Sequence, residues 1–201
     1  MFQLIQKGGP VMWPLLLTSV ISLTVVLDRI LFIIRVKLGR RPKVVDEILS
    51  HAEKGSVEKA IEAGEHCRDF VARALVYGLR HRETSFSSAL LRAANQELKR
   101  FNQGLSVLDT VITLAPLLGL FATVTGMIHA FGLLGNKELD SPTVITGGIA
   151  EALIGTAFGL AIAVVALIPF NYMNAQAEEA RHEIEDASTH LELLLKSDSK
   201  K

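Results

Sequence analysis

Three long runs without charge constrain this chain more than any other feature. Residues 11–27, 110–128 and 152–173 contain no Asp, Glu, Lys, Arg or His. The hydrocarbon core of a bilayer is about 30 Å thick, and about 20 helical residues cross it. Lipid offers backbone polar groups no water, so such runs must satisfy their own hydrogen bonds as helices. The expected fold class is an all-α integral membrane protein with three transmembrane helices and long helical extensions in the cytoplasm. Flanking apolar residues widen the spans to 11–36, 105–134 and 144–173.

Charge fills the remainder. The chain has 201 residues, with 21 Lys+Arg balancing 21 Asp+Glu. No basic surface suited to nucleic acid is expected. The first apolar block is followed by Arg and Lys rather than a small-residue cleavage site, so it reads as a retained anchor and not as a signal peptide. The adjacent Asp28 and Arg29 are expected near the lipid–water boundary, with Arg29 snorkelling toward water. Arg35, Lys37, Arg40, Arg41 and Lys43 follow the first span, and Lys99 and Arg100 precede the second. The outer segments offer only Lys7 and Lys137. Positive residues stay inside, which puts residues 1–10 and the loop 135–143 outside and both 37–104 and 174–201 in the cytoplasm.

Residues 37–104 are rich in helix formers and show no strand alternation. Val44, Val45, Ile48, Leu49 and Ala52 form one stripe that stops at Gly55. Ser56 is a candidate cap for the next helix. Phe70, Ala74, Leu75 and Leu79 form a third stripe. From Thr84 or Ser85 one long helix is expected to run into the second span, with Gly104 the only breaker on the way. Beyond the third span, Ala177, Ala180, Ile184, Ala187, Leu191 and Leu194 alternate spacings of three and four, the seam of a coiled coil or bundle. The spacing suits packing within one subunit and between subunits equally. Cys67 stands alone, so no disulfide or Cys-x-x-Cys metal site is possible within the chain. His51, His66 and His81 lack partners at metal-ligand spacing. No cofactor is expected.

The chemistry lies in the third span. Every fourth residue reads Gly147, Glu151, Gly155, Gly159, Ala163, beside a row of Gly148, Ala152 and Thr156. The second span carries Ala115, Gly119, Thr123, Gly126 and Ala130. Small residues let helices approach closely in lipid. Glu151 is expected on that narrow face, without a Lys or Arg in either helix to pair with it. An intramembrane carboxyl is a functional candidate by default, since burial or a wet cavity suits a group that exchanges protons. Thr123 and Thr156 offer hydroxyls along the same strips. An intramembrane protease would need two membrane aspartates or an activated serine, and neither is present in these cores, so the chain is not expected to be an enzyme.

The stretches APLLGLFATVTGMIHAF (115–131) and GGIAEALIGTAFGL (147–160), joined by a short loop, resemble the MotA/TolQ/ExbB proton-channel family in its ExbB/TolQ branch. The resemblance covers essentially the whole chain, including GGPVMWPLLLTSVISLTVVLDRI at the start. It implies a pentameric homo-oligomeric ring in the bacterial inner membrane, with the outer segments periplasmic and the second and third helices lining a pore. It also implies a single-span ExbD/TolR-like partner within that pore and an energy transducer of the TonB/TolA kind. On the same basis Glu151 matches the pore glutamate, Thr123 and Thr156 the pore threonines, and Pro116 the helix-breaking proline of the second span. Gly119, Gly126, Gly147, Gly155 and Gly159 then pack or line the pore. The chain departs from the best-known members at Ala122–Gly126 and in having Gly147 where proline is frequent. The expected function is a proton-channel stator subunit that turns proton motive force into work at the outer membrane. The competing expectation is a structural membrane scaffold without an ion pathway.

Overall fold

The structure is a computed structural model that describes residues 9–134 and 142–198. Lys7, most of the expected outer segment 1–10, Lys137 and most of the loop 135–143 lie outside the described residues. Among the described residues all regular structure is helical. The helices are α1 (Met12–Gly39), α2 (Pro42–Glu53), α3 (Val57–Gly64), α4 (Phe70–Arg80), α5 (Arg82–Asn102), α6 (Leu105–Leu134) and α7 (Pro142–Asp198). The stretches Met12–Gly39, Ser85–Gly132 and Thr146–Lys196 are each long and apolar enough to cross a membrane. The chain divides into two compact units. One combines residues up to Asp28 with Gly104–Tyr172, and the other combines Arg29–Gln103 with Met173 onward.

In the first unit, Val11 of the preceding turn and Met12 and Leu15 of α1 are buried against Ala115 and Ala122 of α6, with Phe158 and Ile162 of α7 alongside. The opposite side of α1 is just as apolar but exposed: Trp13, Leu17, Val20, Leu23 and Leu27. A helix that is apolar all round suits a lipid surrounding.

The second unit is a helical bundle. Ile48 and Ala52 of α2, Phe70, Leu75 and Leu79 of α4, Leu98 and Phe101 of α5, and Ile184 and Leu191 of α7 share its core. The three-and-four seam beyond the third span thus packs within its own chain, where the spacing alone left the partner open. α7 is one helix of 57 residues that carries both the apolar span and this seam. Gly55 ends the α2 turn at φ +70°, a conformation that costs glycine little. No side chain of Ser56 caps α3.

Two expectations are corrected here. The stem helix does not enter the membrane unbroken, because α5 ends at Asn102, Gln103 is extended at φ −61° and ψ 130°, and Gly104 turns at φ +81° before α6 begins. Near the start of α5, Ser85 also leaves the helical region, and its hydroxyl donates to Ser88 Oγ at 2.8 Å. Arg29 does not snorkel either. It is 7% exposed, donates to the Arg100 carbonyl at 3.0 Å and lies over the Phe32 ring. The last carbonyls of α5 have no partners within their helix, and a guanidinium there satisfies one while complementing the negative helix end.

Asp69, which no sequence pattern singled out, organises this unit. Its Oδ1 accepts from the Val71 amide at 2.9 Å and so caps α4. Its Oδ2 accepts from the Arg41 amide at 2.8 Å. Arg40 Nη1 donates to both oxygens, at 2.9 and 3.0 Å, stacks over Phe70 and reaches Glu183 through Nη2. One buried carboxylate thereby ties the end of α1, the start of α2 and the start of α4. Asp69→Asn keeps a capping oxygen but loses the charge-assisted bonds, so denaturation should show a loss of about 2 kcal/mol.

Burial holds the Glu183 carboxyl above its usual range. Arg40 opposes that shift, and Glu179 and Asp69 add to it. A carboxyl raised on folding contributes stability that is fully present below its unfolded pKa and is lost as pH rises through the folded value. Glu183→Gln should therefore melt slightly above the wild type at pH 7 and match it near pH 4. Glu183 is 36% exposed, so the difference is small.

Candidate functional site

The site is built on the contact between α6 and α7. A β-carbon at Gly126 would stand 2.8 Å from that of Ala152, one at Gly148 would stand 2.8 Å from that of Ala130, and one at Gly155 would stand 2.5 Å from that of Ala122. At Gly159 it would meet the Ala115 carbonyl oxygen at 2.5 Å and the Gly119 Cα at 3.1 Å. The two backbones are therefore nearly in contact, as small-residue faces permit in lipid. The contact face of α7 is Gly148, Ala152, Gly155, Gly159, and that of α6 is Ala115, Gly119, Ala122, Gly126, Ala130.

That register differs from the expected strips in two places. A β-carbon at Gly147 would meet nothing within 4 Å, so Gly148 occupies the seam and Gly147 stands outside it within this chain. Ala122, 4% exposed, takes the seam position expected for Thr123. Thr123 turns its hydroxyl back to the Leu120 carbonyl at 2.6 Å, the bond a lone helical threonine commonly makes. Thr156 does something else. Its Oγ1 donates across the seam to the Gly119 carbonyl at 2.8 Å. α6 also runs through Pro116 without ending, so the proline is not a break. Its ring removes the bond to the Ile112 carbonyl while the helix continues.

Glu151 lies at the edge of the contact face rather than on its narrowest line, and it is half-buried. Its carboxyl lies against Gly9, in the turn that leads into α1, so closely that a β-carbon at Gly9 would collide with Oε1. Gly9 has φ +70°, and its carbonyl accepts from the Met12 amide at 3.2 Å. Below Glu151 on the same side, Phe158 and Ile162 pack against Val11, Met12 and Leu15. Among the described residues, none ion-pairs or hydrogen-bonds with the Glu151 carboxyl. The structure thus brings Thr156 and Gly119 together and Glu151 and Gly9 together, and it leaves Thr123 on its own helix. No sequence signal marked Gly9, since a glycine before a helix reads as an ordinary turn.

The described residues contain no cluster of three His, Cys, Asp or Glu fit for a metal. A titratable carboxyl on a bilayer-length helix, next to a close-packed helix pair, defines the class as a multi-pass membrane protein with a candidate ion site. Residues 62–186 match the model of the MotA/TolQ/ExbB proton channel family. The chain belongs to that family, in its ExbB/TolQ branch. It is 37% identical over 195 residues to a Synechocystis protein named as an ExbB-like biopolymer transport protein, a match spanning 94% of this chain and 76% of the relative. A Neisseria gonorrhoeae biopolymer transport protein ExbB is 33% identical over 106 residues, covering 52% of this chain and 48% of the relative. The Tol-Pal system protein TolQ of Haemophilus influenzae is 37% identical over 86 residues, covering 43% and 38%. The chain is accordingly a channel and motor subunit of the ExbB/TolQ kind.

Proposed function

We propose that protons cross this subunit by way of Glu151, and that their passage drives motion between a ring of these chains and a single-span ExbD/TolR-like partner. The observation that carries the proposal is the carboxyl of Glu151, without an ion-pair or hydrogen-bond partner among the described residues, inside an otherwise uncharged span. A carboxyl without a cation exchanges a proton more readily than one locked in an ion pair. Thr156 holds α6 and α7 in register beside it, and Thr123 offers a second hydroxyl on α6. Pro116, Gly119, Gly126, Gly155 and Gly159 keep the helix pair thin. Gly147, open within the chain, is free to face a neighbouring subunit or the pore. In this reading the ring sits in the inner membrane with five copies, the N-terminus periplasmic and the C-terminus cytoplasmic. The partner hands the work to a TonB/TolA-like transducer. One charge crossing 100 mV supplies about 2.3 kcal/mol, enough to bias a conformational step.

The test is proton flux in proteoliposomes holding the full chain with and without its single-span partner. Flux that needs both proteins and a potential is the expected result. No flux from a fully assembled complex would favour the scaffold reading, in which the close helix contact has a structural role alone.

A further inference from the structure

The second unit contains a cavity of about 930 Å³ that the motor function does not use. It lies among the end of α1, the start of α2, α3, the α3–α4 link, the start of α4 and the end of α5, and its lining includes five arginines and two glutamates. Glu97 is already taken, by Arg73 at 2.5 Å and Arg100 at 3.2 Å. Arg35, Arg41 and Arg68 remain, on three different elements. Among the described residues none of the three makes an ion pair or a side-chain hydrogen bond. Only Glu62 is left on the lining to offset them. Three like charges lining one cavity against a single remaining carboxylate favour an anion there.

The remaining wall is apolar, formed by Phe32, Val36 and Leu38 with Phe101 behind. Leu38 is 82% exposed, and it continues the outward stripe of Leu31 and Ile34 on the same helix. From Trp13 to Leu38 α1 rises about 38 Å. A bilayer measures about 30 Å across its hydrocarbon and about 40–45 Å with its headgroups. Along α1, Leu38 therefore falls at headgroup depth, and the exposed apolar stripe that it ends borders the basic cavity.

We propose that this cavity binds the phosphate headgroup of an anionic phospholipid from the leaflet at the Leu38 end of α1. Guanidinium groups match phosphate oxygens in charge and fork geometry. The apolar wall receives the start of the acyl chains, which a free phosphate would leave unused. A pocket of this size holds a headgroup with room for water.

The experiment is native mass spectrometry of the full chain, assembled with its partner and extracted from nanodiscs containing phosphatidylglycerol and phosphatidylcholine in equal amounts. The wild type should retain phosphatidylglycerol selectively. The Arg35→Gln, Arg41→Gln, Arg68→Gln variant should bind it on the order of a hundredfold more weakly, with phosphatidylcholine unchanged. Excess inorganic phosphate should not displace the lipid. Equal retention of the two lipids by the wild type overturns the proposal, as it would if a neighbouring copy filled the cavity. Undiminished phosphatidylglycerol in the triple variant overturns it too. Displacement by inorganic phosphate would assign the site to a soluble anion instead. Should the triple variant fail to assemble, Arg68→Gln alone, on an exposed link, should still show about a fivefold loss, and no loss there counts against the proposal.

Discussion

Glu151→Gln should leave the complex assembled and bring its proton flux to background. Glutamine has the shape of glutamate, fits the same half-buried place beside Gly9 and keeps a polar end, so the packing of α7 on α1 and α6 is preserved. What it lacks is a proton to exchange. Loss of a positioned proton-transfer group typically costs on the order of a hundredfold or more in rate, and no described residue lies ready to replace it. Reconstituted vesicles with an internal pH dye give the flux, and co-purification of the partner gives the assembly. Glu151→Asp retains the titrating group but withdraws it by one methylene, so it should keep a measurable fraction of the flux. Wild-type flux in the glutamine variant would remove Glu151 from the pathway. Flux and assembly lost together would show instead that the carboxyl holds the fold.

Much of the fold was legible because lipid is an undemanding reader of sequence. A span needs only length and the absence of charge, and the three runs met that condition without help from register. The α2 and α4 stripes were equally plain, since Ile48, Ala52, Leu75 and Leu79 repeat at helical spacing and are buried. Register was harder. Reading every fourth residue drifts about 40° around the helix at each step, so a strip followed from Gly155 back through Glu151 to Gly147 runs off the contact face. The true contact on α7 alternates steps of four and three through Gly148, Ala152, Gly155 and Gly159. That places Glu151 beside the seam and exchanges Thr123 for Ala122. Asp69 and Arg29 were opaque for another reason. A charged residue in a helical segment reads as solvated until its partners are known, and those partners lie far off in the chain at Arg40 and Arg100. The break before the second span needed Gly104 at a positive φ, which composition cannot distinguish from a glycine carried within a helix.

Substitutions at Gly159 and Gly147 should have opposite outcomes, although the sequence gives both the same pattern. Alanine at Gly159 places a methyl 2.5 Å from the Ala115 carbonyl oxygen and 3.1 Å from the Gly119 Cα. Both obstacles are backbone, which cannot rotate away as a side chain would, so α6 and α7 must separate. Separation also stretches the Thr156 bond to the Gly119 carbonyl, at 2.8 Å the polar link across this part of the seam. Overpacking of this kind costs about 1–3 kcal/mol. The better helix propensity of alanine returns at most about 1 kcal/mol. Gly159→Leu adds three more carbons at the same place and should prevent the helix pair from forming. Gly147→Ala meets nothing within 4 Å, so only the propensity gain remains and stability should hold or rise slightly. Unfolding of the purified chain in mixed micelles, followed by circular dichroism, ranks the three variants. A Gly159→Ala protein as stable as wild type would mean that the two helices do not meet at this glycine. If Gly147→Ala leaves the single chain intact but weakens association between copies, Gly147 faces a neighbouring subunit, and under the proposed proton route that surface is where a proton leaving Glu151 would next find an acceptor.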